Sequence, residues 1–393
     1  MNVTIASVTP RKILDSRGEW TIEVLIKLSN GLQTKASVPQ GKSKGSYEAS
    51  YVPVDRAIDI VKNVIEPNIK GRKLNEQKAF DTLLINLDGT ENKSRLGANS
   101  TLGLSLVYAR ASALLNNIPL WSYIQNIYGL KVTRKPYLYV NLINGGLHAG
   151  NNLNFQEYMI IPQTQSYFVS VEASVAIYQG MKKFLIEHLG ASASNLGDEG
   201  GCAPYFPNVL APFEILEKVI QRQNLPLKMQ FGLDAAANNI KKDPADLTNS
   251  YKTMIEKFNL FYLEDPYGEN DFKNFANLLK KSKSSVIICG DDLTATNIFR
   301  IKMACEKKSI NGVVIKPNQI GTLSETLDAV KLARKCKYSC VVSHRSGETN
   351  DDFIVDFAHG IGADGIKIGA PARGERVAKF NRFLEIEEEQ LRR

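Results

Sequence analysis

The sequence lacks the long hydrophobic runs and the cysteine patterns of membrane-spanning and disulfide-stabilised proteins. No apolar run in its 393 residues approaches the roughly 18 residues that a membrane-spanning helix requires. The N-terminus has neither the basic start nor the apolar block of a secretory signal peptide. The five cysteines are an odd number without a CxxC pair, which disfavours a disulfide framework and indicates a reducing compartment. We therefore expect a cytoplasmic protein with no membrane partner.

The charge is unbalanced towards basic residues, but no basic tract concentrates it. Lys and Arg number 49 against 41 Asp and Glu, which gives a net charge of +8. Such a surplus is compatible with nucleic acid, with an anionic substrate, or with no charged partner at all. The lysines are spread in pairs, such as Lys182-Lys183 and Lys280-Lys281. This spread disfavours a nucleic-acid partner.

The length favours two domains, or one barrel with an added lobe. The first part has strand patterns followed by helical periodicity, and the basic segment Lys131–Pro136 is typical of a linker. We therefore predict an N-terminal α+β domain over residues 1–135 and a C-terminal barrel domain over residues 136–393. The predicted strands of the first domain are Val3–Ser7, Thr21–Leu28 and Gln33–Val38.

The second domain repeats a short apolar run that ends on a charged or imidazole side chain. The repeats lie 23 to 30 residues apart, about the length of one strand, one helix and two loops. In a βα barrel, side chains at the strands' C-terminal ends form the site. Before this ladder, Tyr137–Leu142 and Phe155–Ile161 predict a β-hairpin, with His148 and Glu157 close by. The six residues that end the runs are Asp234, Glu264, Asp291, Lys316, His344 and Lys367.

The three acidic run ends form a candidate metal site. Asp234, Glu264 and Asp291 offer carboxylate oxygens without His or Cys, a set that suits Mg²⁺ or Mn²⁺ and not zinc. The alternative is that the three carboxylates only balance lysines at the barrel mouth. The sequence alone leaves both interpretations open.

The later run ends and an acidic turn offer acid–base groups. A nearby cation lowers a lysine pKa, so we expect a lysine facing Mg²⁺ to shift towards the neutral form that accepts a proton. Lys316 and Lys367 are the candidates, and Glu199 and Glu157 offer carboxyls that could return a proton. This set suits proton abstraction beside a substrate carboxylate, followed by loss of a leaving group. The donors of His344-Arg345-Ser346 suit an anionic oxygen or a phosphate.

These residues lie in long motifs that resemble the enolase family, the 2-phosphoglycerate dehydratases of glycolysis. The similarity runs from RKILDSRG at 11–18 to APARGERVAKFN at 370–381. The resemblance implies a small α+β lobe and an α/β barrel of eight strands that opens with a hairpin. It also implies two Mg²⁺ sites and a cytosolic homo-oligomer, either a dimer or an octamer. The intervening motifs are LDGTENKSRLGAN, NGGLHAG, FQEYMI, GDEGG, LEDP, GDDLTATN, IKPNQIGTL and VVSHRSGET.

The resemblance implies a role for each acid–base candidate. Lys316 would take the α-proton, and Glu199 would protonate the departing hydroxyl. Glu157 and His148 would assist that half of the site and contact the substrate.

The resemblance also implies the metal ligands and the substrate contacts. Ser43 would reach a second Mg²⁺ and the substrate from a mobile loop. Lys367 would contact the substrate carboxylate. The first Mg²⁺ would be held by Asp234, Glu264 and Asp291, and the phosphate by Arg345 and Ser346 with His344 beside them.

One loop departs from the family pattern and leaves the substrate open. The family has approximately VPSGAST where this chain has Val38–Lys44, with Gln40, Lys42 and Lys44 as the unusual residues. The leading hypothesis is a Mg²⁺-dependent 2-phosphoglycerate hydro-lyase. The first alternative is a paralogue that eliminates water from another phosphorylated or phosphonylated carboxylate, drawn by the added lysines. The second, from another class, is a non-catalytic binding protein.

Overall fold

The N-terminal part of the chain is a three-stranded antiparallel sheet covered by helices. The computed structural model describes residues 3–42, 45–129, 132 and 134–392. The strands β1 (Ile5–Leu14), β2 (Trp20–Leu28) and β3 (Gln33–Ser37) pair in that order. Alternate residues of β2 share one face, and the apolar ones among them, such as Val24 and Ile26, are fully buried.

The helices of this part cover the buried face of the sheet. The longest, α4, is buried along almost its whole length, and its Ala, Ser and Gly residues let it lie against β2, β3 and the barrel together. The helices are α1 (Val54–Ile60), a π-helical turn (Val61–Ile65), α2 (Glu66–Ile69), α3 (Gln77–Asp88), α4 (Ala98–Leu115) and α5 (Leu120–Tyr128).

The second part is a closed barrel of eight strands. Its order around the barrel is β4-β5-β6-β7-β8-β9-β10-β11, and β11 closes onto β4. Pairs β4–β5 and β5–β6 are antiparallel, and the other pairs are parallel. The strands are β4 (Tyr137–Asn144), β5 (Glu157–Pro162), β6 (Met229–Asp234), β7 (Tyr262–Glu264), β8 (Ile287–Gly290), β9 (Gly312–Ile315), β10 (Ser339–Ser343) and β11 (Gly365–Gly369).

Helices surround the barrel and separate two hydrophobic cores. The inner core fills the barrel and includes Tyr139 and Tyr262, whose rings pack edge to face with their centroids 4.9 Å apart. The outer core lies between strands and helices, where each fully buried aliphatic side chain contributes about 1.5–3 kcal/mol. The helices are α6 (Tyr167–Leu189), α7 (Ala211–Gln223), α8 (Pro244–Phe258), α9 (Phe272–Lys281), α10 (Ile298–Glu306), α11 (Leu323–Lys335), α12 (Phe353–Gly360) and α13 (Gly374–Leu391).

The predicted fold class is confirmed, including the hairpin that opens the barrel. Helix α7 was not predicted from the sequence, although Phe213, Leu216 and Val219 form its buried face at helical spacing. The boundary between residues 135 and 136 stays a prediction. Within the described residues, no helix is long and apolar enough to cross a membrane.

Candidate active site

The predicted run ends meet at one end of the barrel. Asp234 and Glu264 end neighbouring strands and lie opposite each other in register. Glu157 opens the antiparallel β5, so its position beside Asp234 brings it to the same end. Asp291, Lys316 and His344 directly follow their strands, whereas Lys367 is followed by two further residues of β11. The pocket at this end is lined by Gly41, Lys42, Glu48, His148, Gln156, Glu157, Glu199, Asp234, Ala236, Asn239, Asp265, Asp291, Asp292, Lys316, Ser343, His344, Arg345 and Ser346.

Lys367 is the centre of the buried charge network. Its Nζ lies 2.7 Å from the Glu264 carboxylate, 3.1 Å from Glu157 and 3.2 Å from Asp234. Burial disfavours the ammonium, but the carboxylates outweigh burial and raise the Lys367 pKa well above its ordinary value. The Lys367 ammonium therefore joins two of the three predicted metal ligands.

Lys316 forms an ion pair with the third predicted metal ligand, Asp291. Burial alone would lower the Lys316 pKa, but the Asp291 carboxylate outweighs it and raises that pKa. Lys316 in turn holds the Asp291 pKa below its usual value against the effect of burial. The expected shift of Lys316 towards its neutral form concerns a lysine that faces Mg²⁺ and stays a prediction, whereas the protein's own groups shift the pKa the other way because the nearest charge to the ammonium is an anion.

Glu157 and Glu199 form a buried carboxyl pair beside His148. Ligand atoms of the three side chains all lie within 4.8 Å of one another. Burial and the neighbouring Glu199 raise the Glu157 pKa well above its usual value. Glu199 accepts a hydrogen bond of 2.9 Å from Asn141 and has a lowered pKa, because the two histidines near it outweigh burial. The two opposite pKa shifts therefore favour a proton on Glu157 over one on Glu199.

Arg376 fixes which ring nitrogen of His344 carries the proton. Burial and the Arg376 charge lower the His344 pKa to about 3, so the ring is neutral at physiological pH. The Arg376 guanidinium can only donate, and its NH1 lies 2.6 Å from His344 Nδ1. His344 therefore accepts at Nδ1 and carries its proton on Nε2, which lies 3.4 Å from Glu199. Arg376 was not among the predicted site residues, although it lies in the motif at 370–381.

Arg345 is held by a residue from the N-terminal part of the chain. Its two terminal nitrogens donate to the Glu48 carboxylate over 3.0 and 3.1 Å, a bidentate arrangement. Both side chains are 5% exposed, and Glu48 outweighs burial to raise the Arg345 pKa. Glu48 was not among the predicted site residues, because a single Glu after a Gly- and Lys-rich loop gives no signal of a buried partner.

The three glycines of the GDEGG turn let Glu199 approach the barrel closely. A Cβ at Gly197 would lie 2.7 Å from the His148 carbonyl oxygen, and a Cβ at Gly201 would lie 3.0 Å from the backbone of Leu142. Only glycine fits these positions without displacing the backbone. The turn therefore packs on β4, which brings Glu199 within reach of Asn141.

The donor set of the pocket suits a hard divalent cation. Carboxyls outnumber cationic side chains along its lining, and burial together with Asp234 raises the Glu264 pKa to about 8. The Lys367 ammonium beside Glu264 does not offset burial and the Asp234 charge, and an oxygen-bound divalent cation would supply further positive charge there. Among the described residues, the groups with ligand atoms within 4.8 Å of one another are His148, Glu157 and Glu199, and Asp265, Asp291 and Asp292. The predicted set Asp234, Glu264 and Asp291 shares only Asp291 with them, and its members contact Lys367 or Lys316.

Comparison with known proteins gives the same family over both parts of the chain. A family described as "Enolase, C-terminal TIM barrel domain" matches residues 133–392, and "Enolase, N-terminal domain" matches residues 5–124. The chain belongs to the enolase family. It is 39% identical to "Enolase B" of Dictyostelium discoideum, with 98% of this chain and 95% of that protein covered. "Enolase" of Saccharolobus solfataricus is 39% identical and "Enolase" of Methanopyrus kandleri 40%, each with 98% of this chain and 96% of the relative covered.

Membership of the enolase family confirms the predicted enzyme class, a carbon–oxygen lyase of the hydro-lyase type. The assignment of individual site residues stays a prediction. The structure brings all of them together at the barrel mouth except Ser43, which lies outside the described residues together with Lys44.

Proposed function

We propose that the chain dehydrates 2-phosphoglycerate to phosphoenolpyruvate in glycolysis and gluconeogenesis, with Mg²⁺ as cofactor. One observation carries the proposal. A buried lysine, Lys316, lines the same pocket as a carboxyl pair, Glu157 and Glu199, whose pKa values shift in opposite directions. A base and an acid in one pocket are what α,β-elimination requires. The proposal includes a cytoplasmic location and a homo-oligomer, either a dimer or an octamer.

Lys316 is the proposed base. Its Nζ takes the proton from the substrate carbon next to the carboxylate, and it does so in its neutral form. Asp291, Asp234 and Glu264 would hold Mg²⁺, and Mn²⁺ would suit the same oxygen ligands. When bound, the cation supplies positive charge beside the substrate carboxylate, where negative charge develops. An Asp291 carboxylate engaged as a ligand raises the Lys316 pKa less, which favours the neutral amine.

Glu157 and Glu199 are the proposed acid unit. The departing hydroxyl takes a proton from Glu199 and leaves as water, and Glu157 passes the proton that it favours to Glu199 for this step. His148 lies beside both, and burial lowers its pKa against the pull of Glu199, so it serves as a neutral polar contact. A raised pKa lets a carboxyl keep a proton at neutral pH and release it in the reaction.

Arg345, Ser346 and His344 are the proposed phosphate contacts, and Lys367 is the proposed contact to the substrate carboxylate. The Arg345 fork is fixed by Glu48, so its orientation is set before a ligand arrives. Lys367 is held among carboxylates, which keep its ammonium charged. Ser43 stays a proposed ligand of a second Mg²⁺ and of the substrate.

A more anionic substrate receives no support from Lys42. Its ammonium lies 2.7 Å from the Leu147 carbonyl oxygen and 3.3 Å from Asp198, so its charge is already engaged. A non-catalytic binding protein would have no need of a buried Lys316 or of a proton-sharing carboxyl pair.

The test follows formation of the enol product by ultraviolet absorbance, with purified protein, 2-phosphoglycerate and Mg²⁺. We expect turnover that a chelator abolishes and that Lys316→Ala reduces by at least about a thousandfold, because the base is lost. Lys331→Ala, on the outer helix α11, is the matched control and should keep the wild-type rate. A folded protein without turnover would overturn the proposal, and phosphonate analogues would then be tested.

A further inference from the structure

The segment that follows β3 is docked onto the loop that carries the proposed phosphate contacts. Gln40 and Gly347 exchange two backbone hydrogen bonds of 2.9 and 3.0 Å. The backbone N–H of Lys42 then donates to Ser346 Oγ over 2.8 Å. These three bonds fix the backbone of Lys42 beside the mouth of the pocket.

The side chain of Lys42 crosses from this loop to the acid half of the site. Its Nζ donates to the carbonyl oxygen of Leu147 over 2.7 Å and lies 3.3 Å from Asp198 Oδ2. Leu147 directly precedes His148, and Asp198 directly precedes Glu199. One residue therefore joins three loops: that of Ser346, that of His148 and that of Glu199.

We propose that Lys42 is a positioning residue that straps the loops of His148 and Glu199 to the loop of Ser346. The proposal rests on the proposed function, since it concerns the acid half of the same site. The strap holds the Glu157–Glu199 pair at a fixed distance from a substrate bound at Arg345 and Ser346. Its own ammonium is a structural donor and makes no contact with substrate.

Two features of the site indicate that Lys42 restrains the positions of these loops and contributes little to global stability. The loops of His148 and Glu199 are joined directly by the Asp198 N–H, which donates to the His148 carbonyl oxygen over 3.0 Å. A strap on either loop therefore restrains both. The Lys42 side chain is 47% exposed, so its ion pair contributes little to global stability. Its loss should loosen these loops without lowering the unfolding temperature.

The first experiment needs neither substrate nor activity. Lys42→Met keeps the length of the side chain and removes the donor, and hydrogen–deuterium exchange is measured in peptides that cover 145–150 and 196–201. We expect about two- to fivefold faster exchange in both, the range for loss of one exposed ion pair. Lys42→Arg should restore protection. The matched control is Lys257→Met, which breaks an ion pair of 2.5 Å to Glu214 with the lysine 49% exposed, far from the pocket.

The second experiment separates positioning from substrate binding. With 2-phosphoglycerate and Mg²⁺, Lys42→Met should lower kcat about two- to fivefold and leave KM within twofold, because a displaced acid affects the reaction more than binding. Unchanged exchange and unchanged kcat would overturn the proposal. A raised KM at wild-type kcat would also overturn it, since Lys42 would then be a substrate ligand. A wild-type protein without turnover would overturn the proposed function instead, and exchange would still test the strap.

Discussion

The buried ion pair between Glu48 and Arg345 predicts a large effect for a substitution outside the barrel. Glu48→Gln is nearly isosteric and removes one negative charge from a site where both side chains are 5% exposed. Glutamine keeps one oxygen acceptor, so one of the two guanidinium bonds can persist. The other Arg345 nitrogen then faces an amide that donates and cannot accept.

The expected cost follows from removing the carboxylate that balances the buried Arg345 charge. Removal of one member of a buried pair costs about 3–5 kcal/mol, and we expect the lower end, about 3 kcal/mol. The remaining bond and the Asp291 charge, which also raises the Arg345 pKa, reduce the loss. At roughly 2 °C for each kcal/mol in a long chain, the unfolding temperature should fall by about 6 °C. KM for 2-phosphoglycerate should rise at least about tenfold, because Arg345 loses its fixed orientation.

Thermal unfolding followed by circular dichroism measures the first effect, and steady-state kinetics measures the second. The matched control is Asp352→Asn, which removes a carboxylate that is 38% exposed and lies 2.7 Å from Arg110. This control should cost less than about 1 kcal/mol. Replacing both members of the pair, Glu48→Met with Arg345→Met, should restore stability above that of Glu48→Gln alone. The reasoning is refuted if Glu48→Gln unfolds no earlier than Asp352→Asn.

Three further predictions concern other buried polar contacts. In Arg376→Lys, the single ammonium cannot replace the guanidinium contacts to His344 Nδ1 and to two carbonyl oxygens. The kcat should therefore fall about tenfold, and nitrogen NMR should show a mixture of His344 tautomers. Burial lowers the His359 pKa from 6.5 to about 4, so the unfolded chain binds the proton first and stability falls as pH drops from 6.5 to 4, by about 3 kcal/mol. In His359→Gln, the free energy of unfolding measured by urea titration should depend much less on pH across that range. An unchanged dependence on pH would contradict the lowered His359 pKa. Tyr262→Phe removes a 2.6 Å hydrogen bond to Glu264 and should lower the free energy of unfolding in urea by about 1–2 kcal/mol. An unchanged free energy of unfolding would mean that another contact replaces this hydrogen bond.

The convergence of the site residues could be predicted because it follows from topology. Parallel strands of a barrel place their C-terminal ends at one mouth, so any side chain that ends an apolar run is brought there. For this reason, the convergence of Asp234, Glu264 and Asp291 could be predicted without knowing any distance between their side chains. The hairpin at the start of the barrel was also visible, since two apolar runs flank a glycine-rich connection at 145–150.

The pairing of these charges could not be predicted in the same way. The partner of Arg345 is Glu48, 297 positions away, and no periodicity connects the two. The same limit applies to the shift that the protein's own groups cause in the Lys316 pKa. Its direction depends on which charge lies nearest to the ammonium, and the sequence could not show that Asp291 occupies that place.

The segment at 40–48 shows why the N-terminal part matters to a site built on barrel strands. Its described residues on either side of positions 43 and 44 are anchored to barrel loops by side-chain contacts. These are Lys42 to Asp198 at 3.3 Å, Ser46 to Glu269 at 2.6 Å, Tyr47 to Asn270 at 3.0 Å and Glu48 to Arg345 at 3.0 Å. The barrel supplies the groups proposed to react, whereas this segment supplies the counter-charge of Arg345 and the strap of the acid half. Selection on turnover can therefore act on a short segment of the first domain while every strand-end residue stays the same. The departures at Gln40 and Lys42 lie in this segment, where such changes would adjust the positions of the reacting groups and leave their identities unchanged.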